Sequence, residues 1–218
     1  MAPPLVIWGA GDHALVVAEI VRLRAEYELI GWLDDVNVDR HGATYAGLPI
    51  LGGREQLERL RGQGVDHIAV AIGRCDARLR RAELARHSGY RLPALIHPRA
   101  SVGTGVPIGE GTVLKAGAIV DVSAEIGAAV ILSHVSVGHG SILEDGVLLS
   151  CGVCLAGRVR AGRGSSLGAG VAVRDRIQIG RGCLIGTGAV VVRDIPDGVV
   201  AYGVPARAVR PVAVAEGP

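Results

Sequence analysis

From Ile96 onward a branched aliphatic returns at every sixth position: Val102, Ile108, Leu114, Val120, Ile126 and Leu132. After one step of five come Val137, Leu143, Leu149, Leu155, Ala161, Leu167, Val173, Ile179, Ile185 and Val191. Sixteen of these seventeen positions are Leu, Ile or Val, so the spacing carries structure. Four residues after each stands a small or β-branched residue, such as Thr112, Ala118, Ala124, Ser141 or Val153, and glycine follows the aliphatic directly in eight cases. A period of six suits neither an amphipathic helix nor an alternating strand. It suits short strands joined by tight turns and wound into a prism, three hexads to a coil, with the aliphatics stacked inside. Seventeen hexads make between five and six coils, a prism roughly 25 Å tall at about 4.8 Å per coil.

Residues 1–94 follow another rhythm. LVIWGAG (5–11) reads as a buried strand running into a glycine turn, and Asp12 stands where it can cap a helix with Leu15, Val16, Ile20 and Leu23 on its apolar face. ELIGWLDD (28–35) and HIAVAIG (67–73) read as two more strands, with helix-like stretches near Arg54–Arg61 and Arg78–Arg86. Strands and helices alternating at this length form a small parallel α/β sheet. The predicted division is therefore an α/β domain over 1–94, a repeat domain over 95–199 and a tail over 200–218.

Composition supports this plan. With 33 Gly, no Phe, two Trp and four Tyr, the 49% apolar content rests on aliphatics, which suits a shallow layered core. Residues 1–94 carry 12 basic and 12 acidic groups and the remainder 11 and 9, so no basic arm for nucleic acid is present. The apolar run at the N-terminus is broken by Gly, Asp and His, which predicts neither signal peptide nor membrane span and makes a cytoplasmic enzyme the expectation. Cys75, Cys151, Cys154 and Cys183 are expected to be free thiols.

Three constellations could carry chemistry. GAGDHA (9–14) joins a strand to a helix, where backbone N–H groups favour a phosphate, and Asp34 and Asp35 end the neighbouring strand within reach of a ribose or base. The string fits a turn without ligand or half of a nicotinamide site, but the short domain best fits a mononucleotide or nucleotide sugar. His134 and His139 each follow an aliphatic by two places and flank the five-residue step; both could be solvated surface groups, yet repeat proteins place irregularities at functional faces. Between 158 and 181 lie Arg158, Arg160, Arg163, Arg174, Arg176 and Arg181 against Asp175 alone, either a solvated face or a grip for the phosphates of coenzyme A.

GAGDHA, WLDD, AVAIG, the hexads, VGHGS and the terminal GVPAR together resemble, over nearly the whole chain, the bacterial sugar acetyltransferases that include UDP-4-amino-sugar N-acetyltransferases and sialic-acid O-acetyltransferases. The resemblance implies an α/β Rossmann-like small domain followed by a left-handed parallel β-helix of hexapeptide repeats, assembled as a homotrimer. It implies acetyl-CoA as co-substrate, no metal, and direct transfer to the amino group of a nucleotide-linked amino sugar destined for a cell-surface glycan; transfer to a sugar hydroxyl is the alternative. In its terms His139 is the general base, and Gly9, Gly11, His13, Asp34, Asp35 and Gly73 hold the nucleotide sugar, with His134 a further substrate contact. Gly157 offers its N–H to the acetyl group, and Ala169, Thr187 and Arg207 contact the coenzyme. The acid that often follows the base is here Gly140, which leaves Glu144 as the candidate to orient His139. Two other readings stay open: a zinc lyase like the hexapeptide-helix carbonic anhydrases, using His97, His134 and His139, and a non-catalytic sensor of nucleotide sugars.

Overall fold

The computed structural model describes residues 2–213, which divide into two compact units: 2–98 with 110–113, and 99–109 with 114–213. In the first, β1 (Pro4–Trp8), β2 (Glu28–Leu33), β4 (Leu48–Gly52) and β5 (His67–Val70) form a parallel sheet, and β3 (Thr44–Tyr45) folds back on β4; the order is β3-β4-β2-β1-β5. The chain leaves β1 toward β2 on one side while β5 lies on the other, so the loops at the carboxyl ends of β1 and β5 diverge and open the crevice in which doubly wound sheets bind ligands. Gly9 permits the approach there: its φ is +128°, and a Cβ would lie 2.6 Å from the Ala71 carbonyl oxygen.

The helices are α1 (Asp12–Arg24), α2 (Leu57–Gly62) and α3 (Cys75–His87). Asp12 is the first helical residue of α1 rather than its cap; Gly11 holds the cap position, without a side-chain bond. The buried stripe of α1 is Ala14, Val17, Ala18, Ile20 and Val21, so of the expected apolar face only Ile20 is buried. Alanine on that stripe lets the helix approach the sheet closely, which leaves the bulkier Val16 and Leu23 on the outer side.

The second unit is the expected prism, a left-handed parallel β-helix of two-residue strands. Face 1 carries Ser101–Val102, Ile119–Val120, Ser136–Val137, Cys154–Leu155, Ala172–Val173 and Val190–Val191. Face 2 carries Glu125–Ile126, Ile142–Leu143, Arg160–Ala161 and Gln178–Ile179; face 3 carries Ile131–Leu132, Leu148–Leu149, Ser166–Leu167 and Leu184–Ile185. Cys154 lies opposite Ser136 and Ala172 opposite Cys154, eighteen residues per coil. Across the five-residue step the partners are Ile119 with Ser136, Glu125 with Ile142 and Ile131 with Leu148, seventeen apart. The shortened turn is closed by His134 at φ +50°, a left-handed conformation that most other turns assign to glycine.

Ladder aliphatics from Leu114 to Val191 are buried, while Ile96, Val102 and Ile108, at the start of the ladder, are half-buried. The inward hydroxyls are satisfied: Ser141 Oγ accepts from Val159 N at 3.1 Å and donates to the Ala156 carbonyl at 3.2 Å, and Ser165 Oγ does the same for Cys183 N and the Gly180 carbonyl. The stretch read as a tail carries two strands among the described residues. Val199–Gly203 extends face 3 beside Leu184–Ile185 and turns back as Ala206–Pro211; 214–218 lie outside the described residues. Among the described residues no helix is long and apolar enough to cross a membrane.

Candidate functional site

In the first unit, Gly9 and Gly11 form the turn after β1, and His13 sits in the first turn of α1. Asp34, only 5% exposed, is committed to its own loop. Its Oδ1 accepts from Val36 N at 2.9 Å and Asn37 N at 3.1 Å, and its Oδ2 accepts from Asn37 Nδ2 at 2.9 Å with Arg40 Nη1 3.5 Å away. This carboxylate, expected at the nucleoside, is thus engaged within its own loop. Burial alone would raise its pKa, but those donors and Arg40 outweigh it and hold the group below the usual carboxylate range.

A folded pKa below the unfolded one gives stability that is fully present above the unfolded pKa and lost as pH falls through the folded one. Asp34→Ala is accordingly expected to cost about 1–3 kcal/mol at neutral pH. Thermal melts between pH 7 and pH 3 should show the acid-side loss of stability in the parent protein and a weaker one in the variant; identical profiles would remove Asp34 from this role.

Asp35 is better placed. Its Oδ1 accepts from Arg54 N at 2.7 Å, and its Oδ2 pairs with Arg81 Nε at 2.8 Å without a directed hydrogen bond. The Arg81 guanidinium stands 5.4 Å over the Trp8 ring. Gly73, exposed in the loop after β5, is held by a residue that sequence reading missed: Arg78 of α3, fully buried, donates through Nη1 to the Ile72 and Gly73 carbonyls at 2.9 and 2.6 Å. Nothing in the run RLRR distinguishes the fully buried Arg78 from Arg80 and Arg81; the helical offset from buried Cys75 was the available signal.

In the second unit the corner between faces 1 and 2 carries His139. The imidazole is exposed and rests on Gly157 of the next coil: a Cβ there would lie 2.6 Å from His139 Cε1 and 2.8 Å from Nε2. Arg158 N donates to the His139 carbonyl at 2.8 Å and Arg176 N to the Gly157 carbonyl at 3.0 Å, which locks the stacked turns. The Gly157 N–H donates to no group among the described residues.

Glu144 does not join this histidine. It lies one corner further on, where Oε1 accepts from Arg160 Nε at 3.0 Å, Oε2 accepts from Arg163 N at 3.0 Å, and Arg181 Nε is 3.4 Å away. Burial would raise its pKa, but these partners hold it low, so the expected orienting role is corrected to an ion-pair centre. The reason is geometric, since one hexad advances the chain by one corner. The same cluster divides the arginine run: Arg160, Arg163 and Arg181 meet Glu144 and Asp145, whereas Arg174, Arg176 and Arg193 line a hollow at the His139 corner with Asp175 and Asp194.

His134, Ala169 and Thr187 are exposed at the corner between faces 3 and 1, and Arg207 is exposed in the terminal hairpin. Within one chain the expected coenzyme contacts thus fall on two corners at opposite ends of face 1, Gly157 on one and Ala169 with Thr187 on the other. Among the described residues no three His, Cys, Asp or Glu side chains gather as a metal site.

Residues 4–84 match the family described as the PglD N-terminal domain. No curated protein matches the chain. Among solved structures, a His-to-Asn mutant of perosamine N-acetyltransferase from Caulobacter crescentus, in complex with CoA and GDP-perosamine, is 35% identical with a TM-score of 0.90, covering 95% of this chain and 97% of that one. The acetyltransferase domain of PglB from Neisseria gonorrhoeae is 36% identical with a TM-score of 0.85, over 94% and 99%. WeeI from Acinetobacter baumannii, at 22% identity, a TM-score of 0.83 and coverage of 95% and 100%, shares the fold. With two such relatives matched along nearly their whole length, the chain belongs to the bacterial nucleotide-sugar acetyltransferases built on hexapeptide repeats, which are acetyl-CoA-dependent enzymes.

Proposed function

We propose that the protein transfers the acetyl group of acetyl-CoA to the amino group of a nucleotide-linked amino sugar, with His139 as general base. The observation that carries this reading is the His139 imidazole resting on Gly157, an approach only glycine allows, beside an N–H with no other use. It is supported by the Caulobacter relative, named as an N-acetyltransferase and captured with CoA and GDP-perosamine after a histidine was replaced. The crevice at Gly9, Gly11 and Asp35 would hold the nucleotide, and Arg174, Arg176 and Arg193 suit the coenzyme phosphates.

In this mechanism neutral imidazole takes a proton from the sugar amine as the nitrogen, in its neutral form, attacks the thioester carbonyl. The Gly157 N–H then donates to the tetrahedral oxyanion, and collapse expels the coenzyme thiolate, which recovers a proton from the imidazolium. No acyl-enzyme intermediate is required. The test is thiol release from acetyl-CoA with GDP- and UDP-linked amino sugars, followed by hydroxylamine treatment of the product. An amide survives; a labile product would shift the reading to O-acetylation, and no thiol release with any amino sugar would overturn it.

Because the coenzyme contacts of one chain occupy two corners, a complete groove needs a second prism, and a trimer supplies three equivalent grooves. Sedimentation equilibrium is expected to give three chains per particle. A fragment beginning at or before Leu92, which keeps the Leu92 carbonyl for Gly111 N and Leu95 N for the Thr112 carbonyl, should remain folded and trimeric, since each coil buries its aliphatics against its own neighbours. Recovery of monomer alone would contradict the shared groove.

A further inference from the structure

The corner between faces 3 and 1 holds a cluster that takes no part in the proton transfer proposed at His139. Three successive coils there bring up Lys115, His134 and Cys151. Cys151 is exposed, and its Sγ lies 3.8 Å from His134 Nδ1, within hydrogen-bond distance for sulfur. Burial holds the Lys115 ammonium below its usual range, with Cys151 on the same corner as a smaller opposing influence. An imidazole nitrogen within hydrogen-bond reach of a thiol can accept its proton, which gives the nucleophilic form. His134 is fixed in this position by the shortened turn, at φ +50°. Cys154, three residues on, offers an internal reference: it is also exposed, but it stands on face 1 with no imidazole against its sulfur among the described residues. Cys75 and Cys183 are buried.

We propose that Cys151 is a modification site, an activated thiol that exchanges with low-molecular-weight disulfides, with His134 as its base. His134 Nδ1 takes the thiol proton, and the thiolate attacks one sulfur of the disulfide. The new sulfur–sulfur bond forms as the old one breaks, and the departing thiolate takes the proton back from the imidazolium. Cys151 is oxidised and one half of the reagent is reduced to thiol, so electrons and protons balance. The proposal stands independently of the acetyl-transfer reading, since neither His139 nor Gly157 takes part.

The test incubates the intact protein with oxidised glutathione at neutral pH and follows each cysteine by peptide mass spectrometry. Cys151 is expected to acquire the mixed disulfide at least ~10-fold faster than Cys154. His134→Asn removes the base while keeping a residue that tolerates the left-handed turn; it should bring Cys151 down to the Cys154 rate and leave Cys154 unchanged. Equal rates at the two cysteines of the parent protein overturn the proposal without reliance on any variant. So does an undiminished Cys151 rate in His134→Asn. An increase at Cys154 or at the buried cysteines in the variant would report loss of fold, and the parent comparison then decides.

Discussion

Replacing His139 by Asn is expected to lower kcat by roughly 10²–10⁴-fold while the KM values for both substrates change little. Asparagine keeps a similar size and a hydrogen-bonding edge, so ligands should still bind; what disappears is the acceptor for the proton of the attacking amine. The working form of the base is neutral imidazole, so turnover of the parent enzyme should fall toward acid pH as the ring takes up a proton. That limb should vanish in the variant, whose residual rate no longer depends on the ring. Steady-state kinetics across the pH range read both effects. Near-normal turnover by His139→Asn, or persistence of the same acid limb, would move the base to another residue, with His134 next in line.

A comparably large loss is expected from a far smaller change, Gly157→Ala. The backbone there is not in the left-handed region, so alanine adds no turn strain; the only conflict is its methyl group, 2.6–2.8 Å from ring atoms of His139. The imidazole must swing away by about an ångström, and displacement on that scale costs about 10²-fold in rate. Melting temperature should change little, because the ring is exposed and its movement disturbs no core contact. A variant with parent-like kcat would show that the ring is not held by this packing. A variant that is inactive because it has unfolded would show instead that the glycine serves the coil.

The prism was legible because its signal is redundant: each inward aliphatic occupies the same phase, so one Ala161 or one five-residue step cannot hide the period. The register follows directly, and the seventeen-residue pairing of Ile131 with Leu148 is the shortened step seen in the ladder. Side-chain partners were less legible because they are set across coils, not along the chain. Glu144 is five residues from His139 in sequence yet turns to Arg160, Arg163 and Arg181, which lie on the coil below or beyond it. In the first unit Asp34 and Asp35 look interchangeable, but the Asx-type turn through Asn37 takes one and leaves the other near Arg81. The β3–β4 hairpin went unread because its turn, Ala46–Gly47, puts alanine at φ +46° where Asn or Asp would have signalled it.

The short turn at Ser133–Val135 also says where such a chain can change length. Removing one residue from a strand would exchange inside for outside along everything that follows, placing aliphatics in water and polar groups in the stack. At a corner the same deletion is absorbed by a single left-handed residue, and the phase of the wall resumes at Val137. Insertions and deletions in a prism of this kind are thus confined to its three edges. Each edge is therefore a seam along which coil length, and with it the spacing of side chains on adjoining coils, can be revised without rewriting the interior.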